Sequence, residues 1–150
     1  MTIHDRHIAD QPTMTLRQLD DLDACCVIYL RLWCDGPDGR AAVRRDLDNG
    51  LGPRRAATAI EAFETLISLL SRHQRRKLMR HAVACPCLGA DEATFAHFVA
   101  TAATGEREEA LWMAMLLVRP DMAMRLTAAA SAFGLRIAQM LAQRIPPVLH

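Results

Sequence analysis

The residues of this sequence best suited to chemistry are two histidines and two cysteines near its middle. His81 precedes Cys85 and Cys87, which flank a single proline, and His97 follows ten residues after Cys87. Thiolate and imidazole groups are ligands that suit a tetrahedral zinc ion, and a Cys-x-Cys turn can direct two sulfurs to one metal. The pattern therefore makes His81, Cys85, Cys87 and His97 the candidate ligands of a zinc site. Zinc is the one cofactor that the sequence suggests, although the favoured expectation is a protein without a cofactor.

Two other interpretations of Cys85 and Cys87 stay open. Their spacing is not the double Cys-x-x-Cys pattern of specific zinc motifs, so the favoured interpretation is a proline-stiffened loop whose cysteines pack as small hydrophobic residues and whose histidines are solvated. Thiols near a helix start can also be redox-active, although a Cys-x-Cys ring is tighter than Cys-x-x-Cys and no βαβ pattern surrounds it. Of the other cysteines, Cys26 lies on an apolar helical stripe, which predicts a core position. Cys25 and Cys34 receive no role.

A basic run forms the second candidate site. Residues 72–81 carry five positive charges and are predicted to include a short helix over His73–Arg80. Such a helix can contact the phosphates of a nucleic acid, but no aromatic residue interleaves the run for base stacking. A solvated helix whose arginine stems cover apolar surface is the favoured interpretation. The nucleic-acid alternative would use Arg72, Arg75, Arg76, Lys77 and Arg80.

Recognisable catalytic motifs are missing. The sequence has no Gly-x-Ser-x-Gly elbow, no phosphate-binding glycine loop, no His-Glu-x-x-His and no Glu-x-x-His spacing for a di-iron bundle. The acidic pairs Asp91–Glu92 and Glu108–Glu109 lie at predicted helix starts, where the helix dipole accounts for them. No catalytic residue is assigned, and the sequence favours a protein without catalysis.

Composition favours an all-α fold with a single core. The chain has 150 residues, 51% of them hydrophobic and only 5% aromatic, and alanine and leucine dominate the hydrophobic half. The net charge of +1 gives no whole-molecule reason to expect a nucleic acid or an anionic membrane as partner. No apolar run reaches the roughly 18 residues that a membrane-spanning helix needs. No membrane partner is therefore expected, and nucleic acid is disfavoured.

The same composition suggests a compartment. The first residues carry no apolar stretch typical of a secretory signal, and five cysteines form an odd set, which favours free thiols. We expect a cytoplasmic protein. All but one of the positively charged residues are arginine, a bias that indicates a GC-rich bacterial genome.

Helical periodicity and Gly-Pro breaks predict one compact domain of six or seven helices over residues 14–145, bundle-like or irregularly packed. Residues 1–13 and 146–150 are predicted to be tails, the first of them disordered. The first helix is expected to be capped by Thr15 and a later one by Asp91. The predicted helices cover about 15–35, 37–47, 54–70, 73–80, 91–105, 106–118 and 119–145.

One predicted helix is apolar almost all round. From Leu111 to Val118 the sequence has no charged residue, which predicts either the most deeply buried helix or one that a second subunit covers. Leu111, Met115 and Met122 are the predicted contact residues, in a homodimer or with another protein. The leading hypothesis is therefore a non-catalytic adaptor or regulator acting through protein contacts. A zinc-dependent regulator and a nucleic-acid-binding protein are the alternatives.

Overall fold

The computed structural model describes residues 14–144, and within this range the predicted all-α fold of one compact domain is confirmed. The predicted tails, 1–13 and 146–150, fall outside the described residues. No strand forms in this range, and none of its helices is long and apolar enough to cross a membrane. The six α-helices are α1 Asp21–Asp35, α2 Pro37–Leu51, α3 Pro53–His73, α4 Ala90–Ala103, α5 Arg107–Leu117 and α6 Ala123–Arg144.

Glycine-proline pairs separate the first three helices. Gly36 and Gly52 have φ angles of 130° and 81°, which glycine adopts readily, and each is followed by a proline that starts the next helix. The chain therefore turns sharply between α1, α2 and α3. The prediction of one continuous helix starting at Thr15 is wrong. Thr15 precedes a 3₁₀ turn over Leu16–Gln18, and the extended backbone of Leu19 separates this turn from α1.

Helix α6 is the central element and packs against all five other helices. Phe133 of α6 stacks on Phe63 of α3 with ring centroids 4.5 Å apart, and Trp33 of α1 meets Phe63 edge-on. Cys26 is fully buried in this core, as predicted. Gly134 lies where a Cβ atom would be 2.8 Å from the Cβ of Ala103, so its missing side chain lets α4 and α6 approach closely.

The predicted short helix over His73–Arg80 is wrong. Helix α3 continues to His73, and no helix forms from residue 74 to residue 89. Other parts of the molecule bind this backbone instead: the amide of Arg75 donates to the carbonyl of Leu117 at 3.0 Å. Tertiary hydrogen bonds thus override the helix propensity of the arginines and lysine.

Candidate functional site

A buried ion pair joins α1 to the start of α4. Arg31 donates from Nε to Glu92 Oε2 at 2.6 Å and from Nη2 to Oε1 at 2.8 Å. Both side chains are completely shielded from solvent. A buried charge is costly unless it is paired and hydrogen-bonded. The two hydrogen bonds between Arg31 and Glu92 supply this pairing for both buried charges. Sequence reasoning missed the pair, although a single arginine inside the apolar run Val27–Trp33 was a signal for it.

The same two side chains hold the cysteine-containing segment. Arg31 also donates to the carbonyls of Cys85 and Cys87, at 2.7 and 2.6 Å, while Glu92 accepts from the amides of His81 and Gly89. Burial by itself would raise the pKa of Glu92, but the hydrogen bonds from Arg31 and the two amides outweigh it and lower that pKa. Glu92 is therefore a carboxylate at neutral pH, and it fixes both ends of the segment 81–89.

The neighbouring carboxylate of Asp91 anchors the preceding residues. It forms an ion pair with Arg76 and accepts from the amide of Met79 at 2.7 Å. The hydrogen bond from Arg76 is the main reason why the pKa of Asp91 is lowered. Asp91 lies inside the first turn of α4 and Gly89 occupies the N-cap position, so the prediction of Asp91 as the cap is corrected. Together Asp91 and Glu92 attach residues 76–89 to one helix start.

Cys85 and Cys87 are close neighbours in this segment. The backbone around Cys87 forms an isolated antiparallel bridge with Thr15, and the carbonyl of Pro86 accepts from the amide of Leu16 at 3.0 Å. Both cysteines are half-buried. A hydrogen bond to the Cys85 thiol, with the negative charge of that group, raises the pKa of Cys87. Arg31 binds the carbonyls of Cys85 and Cys87, and Leu16 binds that of Pro86 between them, so the backbone is extended here and the two cysteine side chains lie on one face.

The predicted histidine ligands do not join these thiols. Among residues 14–144, no three His, Cys, Asp or Glu side chains are grouped closely enough to hold a metal ion. The ring of His81 lies beside Gly89, and His97 of α4 lies near Asp23 of α1. The structure thus brings together only the cysteines of the predicted set, and the four-ligand zinc site stays a prediction.

The basic segment uses most of its charges within the molecule. Arg75 donates from Nε to the carbonyls of Met115 and Val118, at 2.6 and 3.1 Å. Arg80 donates to the carbonyl of Cys34, and Arg76 is paired as described above. No such contact is found for Arg72 or Lys77 within the described range. Three of the five predicted phosphate-binding side chains therefore support the fold, and phosphate binding stays a prediction.

A polar cluster that sequence reasoning missed lies in an open cavity of about 450 Å³ between α1, α2 and the end of α6. The hydroxyl of Tyr29 donates to Asp46, which also accepts from Arg144 at 3.0 Å. Burial raises the pKa of the adjacent Cys25 to about 12. A thiol that stays protonated at neutral pH is a poor nucleophile, so we interpret the cluster as a polar link between helices.

An exposed apolar face covers α5 and α6. Helix α5 buries three side chains, those of Ala110, Ala114 and Leu117, so the interpretation of this stretch as the most deeply buried helix is wrong. Four large apolar side chains of α5 and α6 are exposed, with exposed fractions of 64%, 75%, 75% and 47% in chain order. We call these four side chains together the apolar face. Its members are Trp112 and Leu116 of α5 with Met124 and Leu135 of α6.

A groove of about 480 Å³ lies between the two helices, and Met124 and Leu135 of the apolar face line it. Leu111, one of the predicted contact residues, lines the groove together with Ala128 and Ser131 of α6. The other two, Met115 and Met122, are half-buried and pack against the core. The sequence therefore indicated the correct helix pair but not the most exposed side chains.

Comparison with known proteins adds no relative: no family model, no curated protein and no solved structure matches this chain.

Proposed function

We propose that this protein is a non-catalytic adaptor or regulator whose apolar face is covered by a second copy of the chain. The observation that carries the proposal is the concentration of exposed large apolar side chains on α5 and α6. Of the seven such side chains in residues 14–144, four belong to this face. Large apolar side chains left exposed on two neighbouring helices are a common mark of a protein contact.

Charge on the same surface makes it self-complementary. The start of α5 is acidic, and the close contact of Glu106 with Glu109 raises the pKa of Glu106. Helix α6 has no acidic residue, and its exposed side carries Arg125 beside the apolar stripe. In a two-fold pair, the acidic start of α5 from one copy can face the arginines of α6 from the other, and the reverse holds by symmetry.

The thiols and the missing catalytic motifs are consistent with a regulatory protein of the bacterial cytoplasm. All five cysteines are free. A reducing compartment keeps thiols in this state.

Sedimentation velocity of the full chain over a concentration series tests the proposal. We expect a monomer–dimer equilibrium that Leu116→Glu and Leu135→Glu each shift toward monomer, because a carboxylate would be buried without a partner. Met79→Glu is the matched control, since Met79 is 67% exposed but lies outside the apolar face. A wild-type chain that stays monomeric up to about 100 μM overturns the proposal.

A charge exchange tests the arrangement of the two copies. Arg125→Glu should weaken the dimer about tenfold, which corresponds to about 1.4 kcal/mol. Combining it with Glu109→Arg should recover most of that loss, because the opposite charges are restored across the contact. If neither the single nor the double variant changes the Kd of the dimer, the two copies meet through another surface.

A further inference from the structure

The segment Cys85-Pro86-Cys87 carries two thiols on neighbouring non-helical backbone without placing either in the core. Its backbone is non-helical, and side chains two residues apart in extended chain project to the same face. Arg31 binds the carbonyls of both cysteines, whereas the carbonyl of Pro86 between them is bound by Leu16, which is the pattern of extended backbone. The two side chains therefore lie on one face of the segment, and both residues are half-exposed. The other adjacent pair differs: Cys25 and Cys26 diverge around α1, and Cys26 is fully buried.

Backbone hydrogen bonds hold this segment in place on several sides. Arg31 binds the carbonyls of both cysteines, the carbonyl between them accepts from Leu16, and the amide of Leu88 donates to the carbonyl of Met14 at 2.8 Å. The positions of the two sulfurs are therefore set by the fold rather than by chance encounters of a mobile loop. Fixed, accessible neighbouring thiols are suited to forming a bond with each other.

We propose that Cys85 and Cys87 form a reversible dithiol–disulfide site that reacts with low-molecular-weight disulfides such as glutathione disulfide. The thiolate of one cysteine attacks a sulfur of the small disulfide, forms a mixed disulfide and expels one small thiolate. The second cysteine then attacks the protein sulfur of this mixed disulfide and expels the other small thiolate. The protein loses two electrons and two protons, and one small disulfide becomes two thiols.

Closing the bridge changes the segment around it. A disulfide needs Cα atoms no more than about 7 Å apart, and two residues of extended chain already span nearly that distance. Ring formation therefore contracts the backbone between Cys85 and Cys87, whose carbonyls Arg31 holds. We expect the oxidised protein to lose hydrogen-exchange protection in the segment 81–89, while the core helices keep theirs.

Reaction of the reduced full chain with glutathione disulfide, followed by intact-mass measurement and peptide mapping, tests this site. We expect a product about 2 Da lighter, with Cys85 joined to Cys87, that dithiothreitol reverses. Cys85→Ser and Cys87→Ser should each stop at a glutathione mixed disulfide, because the second attack is missing. Cys34→Ser is the matched control and should still form the bridge. Far-UV circular dichroism checks that each variant keeps its helices.

Three results would overturn the proposal. In one, the wild-type chain accumulates a stable mixed disulfide at Cys85 or Cys87, which means that the second thiol cannot reach it. In another, neither cysteine reacts. In the third, the reaction begins only after a chelator removes a bound metal ion, which would identify both cysteines as metal ligands instead.

Discussion

Replacing Glu92 with glutamine tests whether the buried ion pair holds the 81–89 segment in place. The substitution keeps the size of the side chain but leaves the charge of Arg31 buried, with only 1% of that residue exposed. The Glu92 carboxylate accepts four hydrogen bonds, two from Arg31 and two from the amides of His81 and Gly89. A glutamine amide presents one oxygen and one donor group, so part of this set must lose its acceptor.

The expected cost follows from these contacts. Removing one partner of a buried ion pair costs about 3–5 kcal/mol, because the remaining charge is left without compensation. Arg31 keeps three carbonyl acceptors, those of Ala82, Cys85 and Cys87, so we expect Glu92→Gln to lower the free energy of unfolding by about 3 kcal/mol. In a double-mutant cycle with Arg31→Met, the coupling energy should be about 2 kcal/mol.

Urea unfolding at about pH 7, followed by circular dichroism, measures this cost. The matched control is Glu64→Gln, which breaks the ion pair with Arg44 whose side chains are 49% and 47% exposed. Such an exposed pair contributes less than about 1 kcal/mol. A loss for Glu92→Gln no larger than that of the control would refute the role of the buried pair.

The pH dependence gives a second readout. The folded protein lowers the pKa of Glu92, so its contribution to stability is complete above the ordinary glutamate pKa of about 4.3 and is lost as the pH falls through the lower folded value. The stability difference between the wild-type chain and Glu92→Gln should therefore shrink in acid. A difference that stays constant through this range contradicts the assignment of the charge to Glu92.

Two further predictions concern the core and the polar cavity. Gly134→Ala should lower the free energy of unfolding by about 1–3 kcal/mol, because the Cβ of the alanine would lie 3.0 Å from the carbonyl oxygen of Val99. Helix propensity alone predicts the opposite, so a gain in stability measured by urea unfolding would contradict this prediction. Burial raises the pKa of Tyr29, the single tyrosine of the chain, so tyrosinate absorbance should appear only when alkali unfolds the protein. Ionisation of the folded chain near about pH 10 would contradict that expectation.

Local chemistry explains which parts of the fold could be predicted. The breaks at Gly36-Pro37 and Gly52-Pro53 depend on residues adjacent in sequence, and helical periodicity correctly assigned Cys26 to the core. The 74–89 segment could not be predicted in the same way. Its basic residues favour a helix in isolation, and contacts with distant elements, such as that of Arg75 with the end of α5, keep it non-helical.

The same division applies to the candidate sites. Cys85 and Cys87 lie two residues apart around a proline, so their placement on one face of a non-helical segment was predictable from the sequence. Whether His81 or His97 lies near these cysteines depends on how α4 packs against the loop. The local sequence pattern holds no information about that packing. Periodicity likewise identifies the buried stripe of α6, but it cannot show that the opposite stripe, with Met124 and Leu135, is left uncovered by the other described helices.

The 74–89 segment touches both proposed sites through separate anchors. At its start, Arg75 binds backbone carbonyls at the end of α5, the helix that carries part of the apolar face. At its end, Arg31 and Glu92 hold the residues around Cys85 and Cys87. The two anchors share no side chain, and effects at sites without shared partners usually add. Oxidation of the thiol pair should therefore act locally, and the monomer–dimer equilibrium should be the same for the reduced and the oxidised chain.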